Sequence, residues 1–250
     1  MNPKTSGIIT LLTDFGTEDA YAGAMKGAIL KVNPEVRIVD ISHEARAFAI
    51  LETAFLLDSA WRYFPSGTVH LVVVDPGVGS DRPAIALEAG GQFFVGPDNG
   101  VFTYLPEAIG TVVNLPTPGG ASATFHGRDL FGPAAARLAG GAGLADLGER
   151  RGPPMRMANA WAEQVGEAWR AIVLHVDRFG NVITNVAGRA INQVHSVNQS
   201  PVRTVRTYDE AGPCELVVLV GSHGRLEVAL RTGSAAERLQ VKAGESLLLT

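Results

Sequence analysis

The sequence predicts an α/β fold with an N-terminal, mostly parallel sheet sandwiched by helices and a smaller C-terminal, antiparallel, β-rich, barrel-like domain. In the first half, apolar strand-like runs alternate with segments of helical periodicity, which is typical of a parallel sheet covered by helices. In the second half, helical periodicity almost disappears, and short strand-like runs are separated by Gly, Asn and Ser turns. We therefore expect domains over residues 1–160 and 161–250, with the Pro- and Arg-rich stretch 148–160 as the linker.

The elements follow from apolar runs and from the residues that end them. Asn33-Pro34 ends the first helical segment, Pro65 and Gly67 end the second, and Gly90-Gly91 marks a hairpin turn. In chain order we predict strand 7–15, helix 21–32, strand 36–42, helix 47–64, strand 69–75, hairpin 83–97 and helix 127–141, then strand-like runs at 167–186, 215–221, 225–231 and 245–250.

Composition excludes several classes of protein. The 250 residues are 46% hydrophobic and 18% charged, with a formal net charge of -4 and no basic run, so we expect no nucleic-acid partner. No apolar window approaches the ~20 residues that a spanning helix needs, and the N-terminus does not resemble a signal peptide, so we expect no membrane association. The single cysteine, Cys214, allows neither a disulfide framework nor a thiolate zinc site within one chain, and a cytoplasmic location is expected.

Three carboxylates fall at the ends of predicted parallel strands. Asp14, Asp40 and Asp75 each follow or close an apolar run. In open α/β sheets, ligands bind outside the carboxyl ends of the strands. Asp14 suits a ribose diol, because one carboxylate can accept two hydroxyl hydrogen bonds.

The stretch VHLVVVDPGVGSDR (69–82) brings an arginine back towards a strand-end acid. Asp75 and Arg82 could form only a loop salt bridge that orders the glycine turn, and His126 in TFHGRDLFGP (124–133) could be an ordinary histidine before a helix. Near one sheet edge, however, a carboxylate, a guanidinium and an imidazole could hold a water and accept its proton.

Two further acids have a structural and a functional interpretation. Asp19 could cap the helix that follows it. Asp177 and Asn181 in VDRFGNVITN (176–185) could stabilise a hairpin turn, or, beside Phe179, could hold the charged ends of an amino acid or stack a base.

Common catalytic signatures are absent from the sequence. It has no GxGxxG after the first strand, no GxxxxGK[ST], no HExxH and no GxSxG. Asp14, Asp40, His43 and Asp75 could in principle bind a divalent ion, but their spacing matches no metal signature, so no metal site is predicted.

Seven ordered segments carry a resemblance to a known family. They are TDFGTEDAYAGAMKG (13–27), DISH (40–43), FPSGTVHLVVVDPGVGSDR (64–82), VGPDNGVF (95–102), FHGRDLFGPAAARLA (125–139), VDRFGNVITN (176–185) and GSHGRLEVALRTGSAAERL (221–239). Together they resemble the S-adenosyl-L-methionine hydrolases, the hydroxide adenosyltransferases related to fluorinases and chlorinases. The similarity runs from about residue 8 to the C-terminus.

The resemblance implies hydrolysis of S-adenosyl-L-methionine to adenosine and L-methionine, by attack of water or hydroxide at C5′, without a cofactor. It places the family's catalytic set on Asp75, Arg82 and His126, and the ribose contact on Asp14. The other substrate-binding positions that it implies are Asp19, Phe48, Phe125, Gly127, Asp177, Phe179, Asn181, Ser222 and Gly233; Arg231 aligns only across a small gap. It also implies a homotrimer with the site between the N-terminal domain of one subunit and the C-terminal domain of its neighbour.

Three other functions remain as alternatives. A non-catalytic module that binds S-adenosylmethionine or adenosine would not need Asp75, Arg82 and His126. A halide-dependent adenosyltransferase is disfavoured, because the related halogenases carry an aromatic hydroxyl residue at position 75 and a carboxylate there would repel the halide. A metal-dependent hydrolase would lose activity with a chelator.

Overall fold

The chain divides into two compact units, one ending at Met157 and the other beginning at Ala158. The computed structural model describes residues 5–250. The first unit contains β1 (Ile8–Thr13), α1 (Tyr21–Val32), β2 (Arg37–Ser42), α2 (Ile50–Ala60), β3 (Val69–Val73), β4 (Ala84–Ala89), β5 (Gln92–Pro97), β6 (Ile109–Asn114), α3 (Gly132–Ala139) and β7 (Glu149–Arg150). The second contains β8 (Glu163–Val165), β9 (Ala168–Val176), β10 (Val182–Ala187), β11 (Ser196–Val197), β12 (Ser200–Pro201), β13 (Arg203–Thr204), β14 (Leu216–Val220), β15 (Arg225–Leu230), α4 (Ala235–Leu239) and β16 (Ser246–Leu249).

The sheet of the first unit has the strand order β2-β1-β3-β5-β4-β6-β7. Strands β2, β1, β3 and β5 are parallel neighbours, and β4, β6 and β7 extend the sheet antiparallel. Consecutive residues of the buried strands point to opposite faces: Leu11 packs with Met25 and Ile29 of α1, and Leu12 packs with Leu57 of α2. Helices therefore cover both faces, and the predicted sandwich is confirmed.

The second unit is one barrel-like sheet in the order β12-β11-β16-β9-β10-β15-β14-β13, with β8 beside β9. All its pairings are antiparallel except β13 with β14. This confirms the predicted β-rich class.

Some element boundaries differ from the sequence-based expectation. The second helix begins at Ile50 rather than at 47, because Phe48 has a left-handed backbone with φ of 65°. Within the stretch expected to be a linker, Glu149 and Arg150 form β7 at the sheet edge. The short α4 was not predicted; Ser234 caps it by accepting a hydrogen bond from the backbone N–H of Glu237. None of the helices formed by residues 5–250 is long and apolar enough to span a bilayer.

A buried histidine ties β1, β3 and β5 together. Gln92 Nε2 donates to the carbonyl oxygens of Trp61 and Phe64 at 3.3 and 3.2 Å, which leaves Oε1 to accept from His70 Nε2 at 2.6 Å. His70 Nδ1 then accepts from Thr10 Oγ1 at 2.7 Å. Because both ring nitrogens are already used in this arrangement, the neutral imidazole is the form that fits the core.

We expect His70 to make the free energy of unfolding depend on pH. Burial lowers the pKa of His70 from 6.5 to about 4, against the opposing effect of the Gln92 hydrogen bond. Between these values the unfolded chain binds a proton that the folded chain excludes, so stability falls as the pH decreases from 6.5 towards 4. At about 1.4 kcal/mol per pKa unit, the loss at pH 4 is about 3 kcal/mol. Urea unfolding of the wild type and His70→Gln at several pH values checks this: an identical pH slope in both proteins would contradict it.

Candidate active site

Parallel pairing brings the carboxyl ends of β1, β2 and β3 to one edge of the sheet. Thr13 pairs with Val73 and Leu11 with Asp40, so that Asp14 and Asp75 emerge just beyond two neighbouring strands. This is the edge at which open α/β sheets bind ligands. A cleft of about 390 Å³, which we call the triad cleft, lies there and is lined by Asp14, Phe15, Tyr21, Ala47, Phe48, Val73, Asp75, Val78, Thr124, Phe125, His126 and Gly127.

The glycine turn after β3 returns Arg82 to Asp75. The N–H of Val78 donates to the carbonyl oxygen of Asp75 at 3.2 Å, which starts the turn. Gly79 has φ of 79°, and a Cβ there would lie 2.5 Å from the carbonyl oxygen of Ala123, so only glycine lets this turn approach the segment before His126. A Cβ on Gly77 would lie 3.1 Å from Cγ of Arg82, whose side chain folds back over the turn.

Arg82 contacts both other members of the predicted set. Its Nε donates to Oδ1 of Asp75 at 2.8 Å, its Nη2 donates to Oδ2 of the same carboxylate, and Nη2 also lies 3.1 Å from Nδ1 of His126. The guanidinium lies over the ring of Phe131 at 5.1 Å. The Asp75 and Arg82 side chains are only 5% and 11% exposed, and His126 is buried as well.

This contact determines the form of His126. A guanidinium has no acceptor, so Arg82 must donate and Nδ1 of His126 must accept. The neutral ring then carries its proton on Nε2. Asp75 and Arg82 therefore form the loop salt bridge considered from sequence and also belong to a three-residue cluster with His126. Of the three, Asp75 and His126 line the cleft and Arg82 does not.

Asp14 supports the loop that carries Phe48. Its Oδ2 accepts the backbone N–H of Phe48 at 3.0 Å, and the Phe48 side chain is 70% exposed. Burial raises the pKa of Asp14 and the negative charge of Asp75 raises it further, whereas the Phe48 N–H lowers it. The remaining lone pairs of this carboxylate are available to a ligand in the cleft.

A second polar cluster lies behind the ends of β1 and β2. Nδ1 of the buried His43 lies 2.8 Å from Oγ1 of Thr13, and its Nε2 lies 3.1 Å from Oδ1 of Asp40, whose Oδ2 accepts from Lys26 at 2.6 Å. Burial acts to raise the pKa of Asp40, but the Lys26 hydrogen bond and the His43 charge outweigh it and lower the pKa. Asp40 is thus paired with a cation. Within residues 5–250, no group of three or more His, Cys, Asp or Glu side chains is arranged to hold a metal ion.

Of the remaining candidates in the first unit, two line the triad cleft and one does not. Phe125 and Gly127 line the triad cleft. Asp19 is exposed in the bend before α1 and is not among the lining residues; the cap position of that helix is Ala20, without a side-chain cap hydrogen bond. The capping interpretation of Asp19 is therefore not supported. Sequence reasoning also missed Phe15 and Tyr21, although each stands beside a predicted strand end or helix start.

The second unit has a cleft of its own, of about 580 Å³, which we call the β-unit cleft. It is lined by Asp177, Phe179, Asn181, Tyr208, Leu230, Arg231, Thr232 and Gly233. Four of these residues were predicted to bind substrate, and Tyr208, Leu230 and Thr232 were not. Ser222 is exposed in the turn between β14 and β15 and is not among the lining residues.

Asp177 organises the turn that presents Phe179. Its Oδ1 accepts the N–H groups of Phe179 and Asn181, both at 2.9 Å, and its Oδ2 accepts Nδ2 of Asn181 at 2.9 Å. Gly180 has φ of 83°, and a Cβ there would lie 2.3 Å from Oγ of Ser234, so the turn packs directly on the start of α4. The result is a rigid turn whose phenyl ring is 77% exposed. The Asx-turn interpretation is confirmed, and the ring remains free to contact a ligand.

The opposite part of the β-unit cleft is held by Arg231 and Tyr208. Arg231 donates to the carbonyl oxygens of Asp209 and Ala211 at 3.2 and 2.7 Å, and so fixes the loop that carries Tyr208. Tyr208 donates its hydroxyl to Glu227 at 2.6 Å. Burial, followed by this hydrogen bond and the charge of Glu227, raises the pKa of Tyr208, so the phenol stays neutral.

Comparison with known proteins identifies the family. The profiles of the SAM hydroxide adenosyltransferase N-terminal and C-terminal domains match residues 9–148 and 171–248. An (R)-S-adenosyl-L-methionine hydrolase of Salinispora tropica is 39% identical over 97% of each chain, whereas a fluorinase of Actinoplanes sp. is 24% identical over 97% of each. The crystal structure of an uncharacterized conserved protein from Thermotoga maritima, 33% identical, matches with a TM-score of 0.88 over 96% of this chain and 99% of that one. This chain belongs to the SAM hydroxide adenosyltransferase family.

Proposed function

We propose that this protein hydrolyses S-adenosyl-L-methionine to adenosine and L-methionine, with water attacking C5′. One observation carries the proposal: Arg82 contacts both Asp75 and His126, and these two residues line a cleft together with Asp14. The (R)-S-adenosyl-L-methionine hydrolase of Salinispora tropica supports the same activity, and its name suggests the R epimer at sulfur as the substrate here.

In the proposed step, the leaving group is a neutral thioether that departs from a sulfonium, so no acid is required. A new O–C5′ bond forms as the C5′–S bond breaks, and the electron pair of that bond stays on sulfur. What the protein must supply is an aligned water, a proton acceptor and a site that excludes other water.

The tautomer of His126 separates the roles in this step. Because Nδ1 accepts from Arg82, the Nε2–H of His126 donates to the water oxygen and orients it. Each oxygen of Asp75 retains a lone pair beyond its bond to Arg82, so Asp75 accepts the proton that the water loses. Arg82 holds Asp75 and His126 in position relative to each other and balances the negative charge of Asp75.

The ribose and the two ends of the substrate are assigned to further residues. Asp14 accepts the ribose hydroxyls, with Phe48, Phe125 and Gly127 around the sugar. We assign binding of the adenine and methionine ends to Asp177, Phe179, Asn181, Gly233, Asp19 and Ser222. Support for these assignments comes from the two clefts that contain most of these residues, one in each unit.

We further propose that the active protein is a homotrimer in which the triad cleft of one subunit and the β-unit cleft of a neighbour bind one substrate. Asp75→Asn and Phe179→Ala, each inactive alone, would then restore activity when mixed and allowed to exchange subunits. Sedimentation velocity would measure the assembly. A monomer of full activity, or no restoration in mixed oligomers, would contradict the shared site.

The reaction itself is tested by incubating purified protein with S-adenosylmethionine, with and without chloride or fluoride, followed by chromatography. Adenosine and methionine should appear at the same rate in every arm and with or without a chelator. A 5′-halogenated product would indicate a halide-dependent transferase, and tight adenosine binding without turnover would indicate a binding module.

A further inference from the structure

Three aromatic rings line the triad cleft together, and two of them, Phe15 and Tyr21, have no assigned role in the reaction. The ring centroids of Tyr21 and Phe125 are 5.3 Å apart, those of Phe15 and Phe125 are 5.8 Å apart, and both pairs meet edge to face. Phe15 and Tyr21 complete the group at 6.0 Å. We call these three residues the aromatic wall.

The aromatic wall is built by the same segments that carry the reacting groups. Phe15 follows Asp14 directly, and Phe125 precedes His126. A Cβ on Gly127 would lie 3.2 Å from Cζ of Phe15 and 3.5 Å from Cε2 of Phe125, so the rings pack against the backbone itself. Tyr21, at the start of α1, is still 51% exposed.

The position of the sulfonium follows from the bond that breaks. Sulfur is bonded directly to C5′, so a cleft that aligns water with C5′ must also hold the sulfonium. This cation has no hydrogen to donate. Of the two carboxylates in the cleft, Asp75 is already paired with Arg82 and Asp14 is assigned to the ribose hydroxyls. Aromatic faces bind such cations without hydrogen bonds. Phe125 already has one cation beside it, the guanidinium of Arg128 at 5.0 Å from the ring centroid.

We propose that the aromatic wall, with Tyr21 as its exposed member, recognises the sulfonium and makes the site select a cationic substrate over a neutral thioether. This inference rests on the proposed function, because it names the group that recognises the same substrate. It assigns Tyr21 and Phe15 to substrate specificity.

The proposal predicts an asymmetric effect on the kinetics. The positive charge on sulfur disappears as the C5′–S bond breaks, so the rings stabilise the bound substrate more than the transition state. Loss of the Tyr21 ring therefore raises KM without lowering kcat. A residue that only maintained the shape of the cleft would disturb the alignment of water and would lower kcat as well.

The test compares the wild type with Tyr21→Leu, Tyr21→Phe and, as an exposed aromatic control that does not line the triad cleft, Tyr63→Leu. KM is measured for S-adenosylmethionine and the inhibition constant for S-adenosylhomocysteine, which lacks the methyl group and the charge. Tyr21→Leu should raise KM about three- to ten-fold and leave the inhibition constant within about two-fold. Tyr21→Phe keeps the ring and should therefore recover most of the preference that Tyr21→Leu loses, whereas Tyr63→Leu should leave both constants unchanged. Equal weakening of both ligands, or a Tyr21→Phe defect as large as that of Tyr21→Leu, would overturn the proposal.

Failure of the proposed function has a different signature. If the wild type forms no adenosine, that function fails, and titration calorimetry of the same four proteins with the two ligands still decides the inference. A preference for S-adenosylmethionine over S-adenosylhomocysteine that falls only in Tyr21→Leu supports the aromatic wall. An unchanged preference rejects it.

Discussion

Asp75→Asn is expected to lower kcat by about 100- to 10,000-fold, the usual range for loss of a general base, and to leave KM within a few-fold of the wild type. The amide has nearly the shape of the carboxylate, and its oxygen can still accept one N–H of Arg82. It cannot take the proton of the attacking water. The substrate therefore binds, but the nucleophile is no longer activated.

Steady-state kinetics and calorimetric binding of S-adenosylmethionine check this expectation. Asp81→Asn is the matched control, because Asp81 is an exposed acid in the same loop. Thermal unfolding shows whether the variant is folded, since it leaves the buried Arg82 with a weaker partner. A kcat close to the wild-type value would remove Asp75 from the reaction.

Replacement of Asp14 should affect binding instead of the chemical step. A carboxylate that accepts two ribose hydroxyls makes two charge-assisted hydrogen bonds, and at about 1.5 kcal/mol or more each, their loss raises KM about 100-fold. Because burial and Asp75 raise the pKa of Asp14, KM should also rise as the pH falls towards that pKa. This rise should begin at a higher pH than an exposed aspartate would give.

Two variants separate the two tasks of Asp14. Asp14→Asn retains an oxygen that can accept the Phe48 N–H, whereas Asp14→Ala loses that bond and releases the loop before α2. Both should raise KM, and only Asp14→Ala should also lower thermal stability. Both should lose the pH dependence assigned to this group. An unchanged affinity for adenosine in Asp14→Asn would contradict the ribose contact.

Strands β1 and β3 could be predicted because each is a mostly apolar run, and they place Asp14 and Asp75 just beyond their ends. The first residue of α2 could not be predicted from the sequence. Its position depends on the left-handed backbone of Phe48, whose N–H is held by Asp14, 34 residues earlier in the chain. Local helical periodicity carries no information about such a contact.

The side-chain contacts of the candidate site could not be predicted from local sequence either. Each chemical group of the Asp75, Arg82 and His126 set is visible in sequence, but the contact between Arg82 and His126, 44 residues apart, requires the fold. Phe15 and Tyr21 of the aromatic wall were missed because they look like ordinary apolar residues beside a strand or helix, whereas Phe125 was named through the resemblance. Tyr208 was missed because its loop, which has little apolar pattern, is held in place by the distant Arg231.

The roles assigned to Asp75, Arg82 and His126 all require water to be the nucleophile at C5′. Turnover of S-adenosylmethionine in water enriched in ¹⁸O, followed by mass spectrometry of the adenosine, tests it most directly. We expect one ¹⁸O atom in the 5′-hydroxyl, halide-independent formation of that product, and formation about 100- to 10,000-fold slower in Asp75→Asn. Adenosine without the label, or a 5′-halogenated nucleoside in its place, would contradict the assignment of Asp75, Arg82 and His126 to a water-activating site.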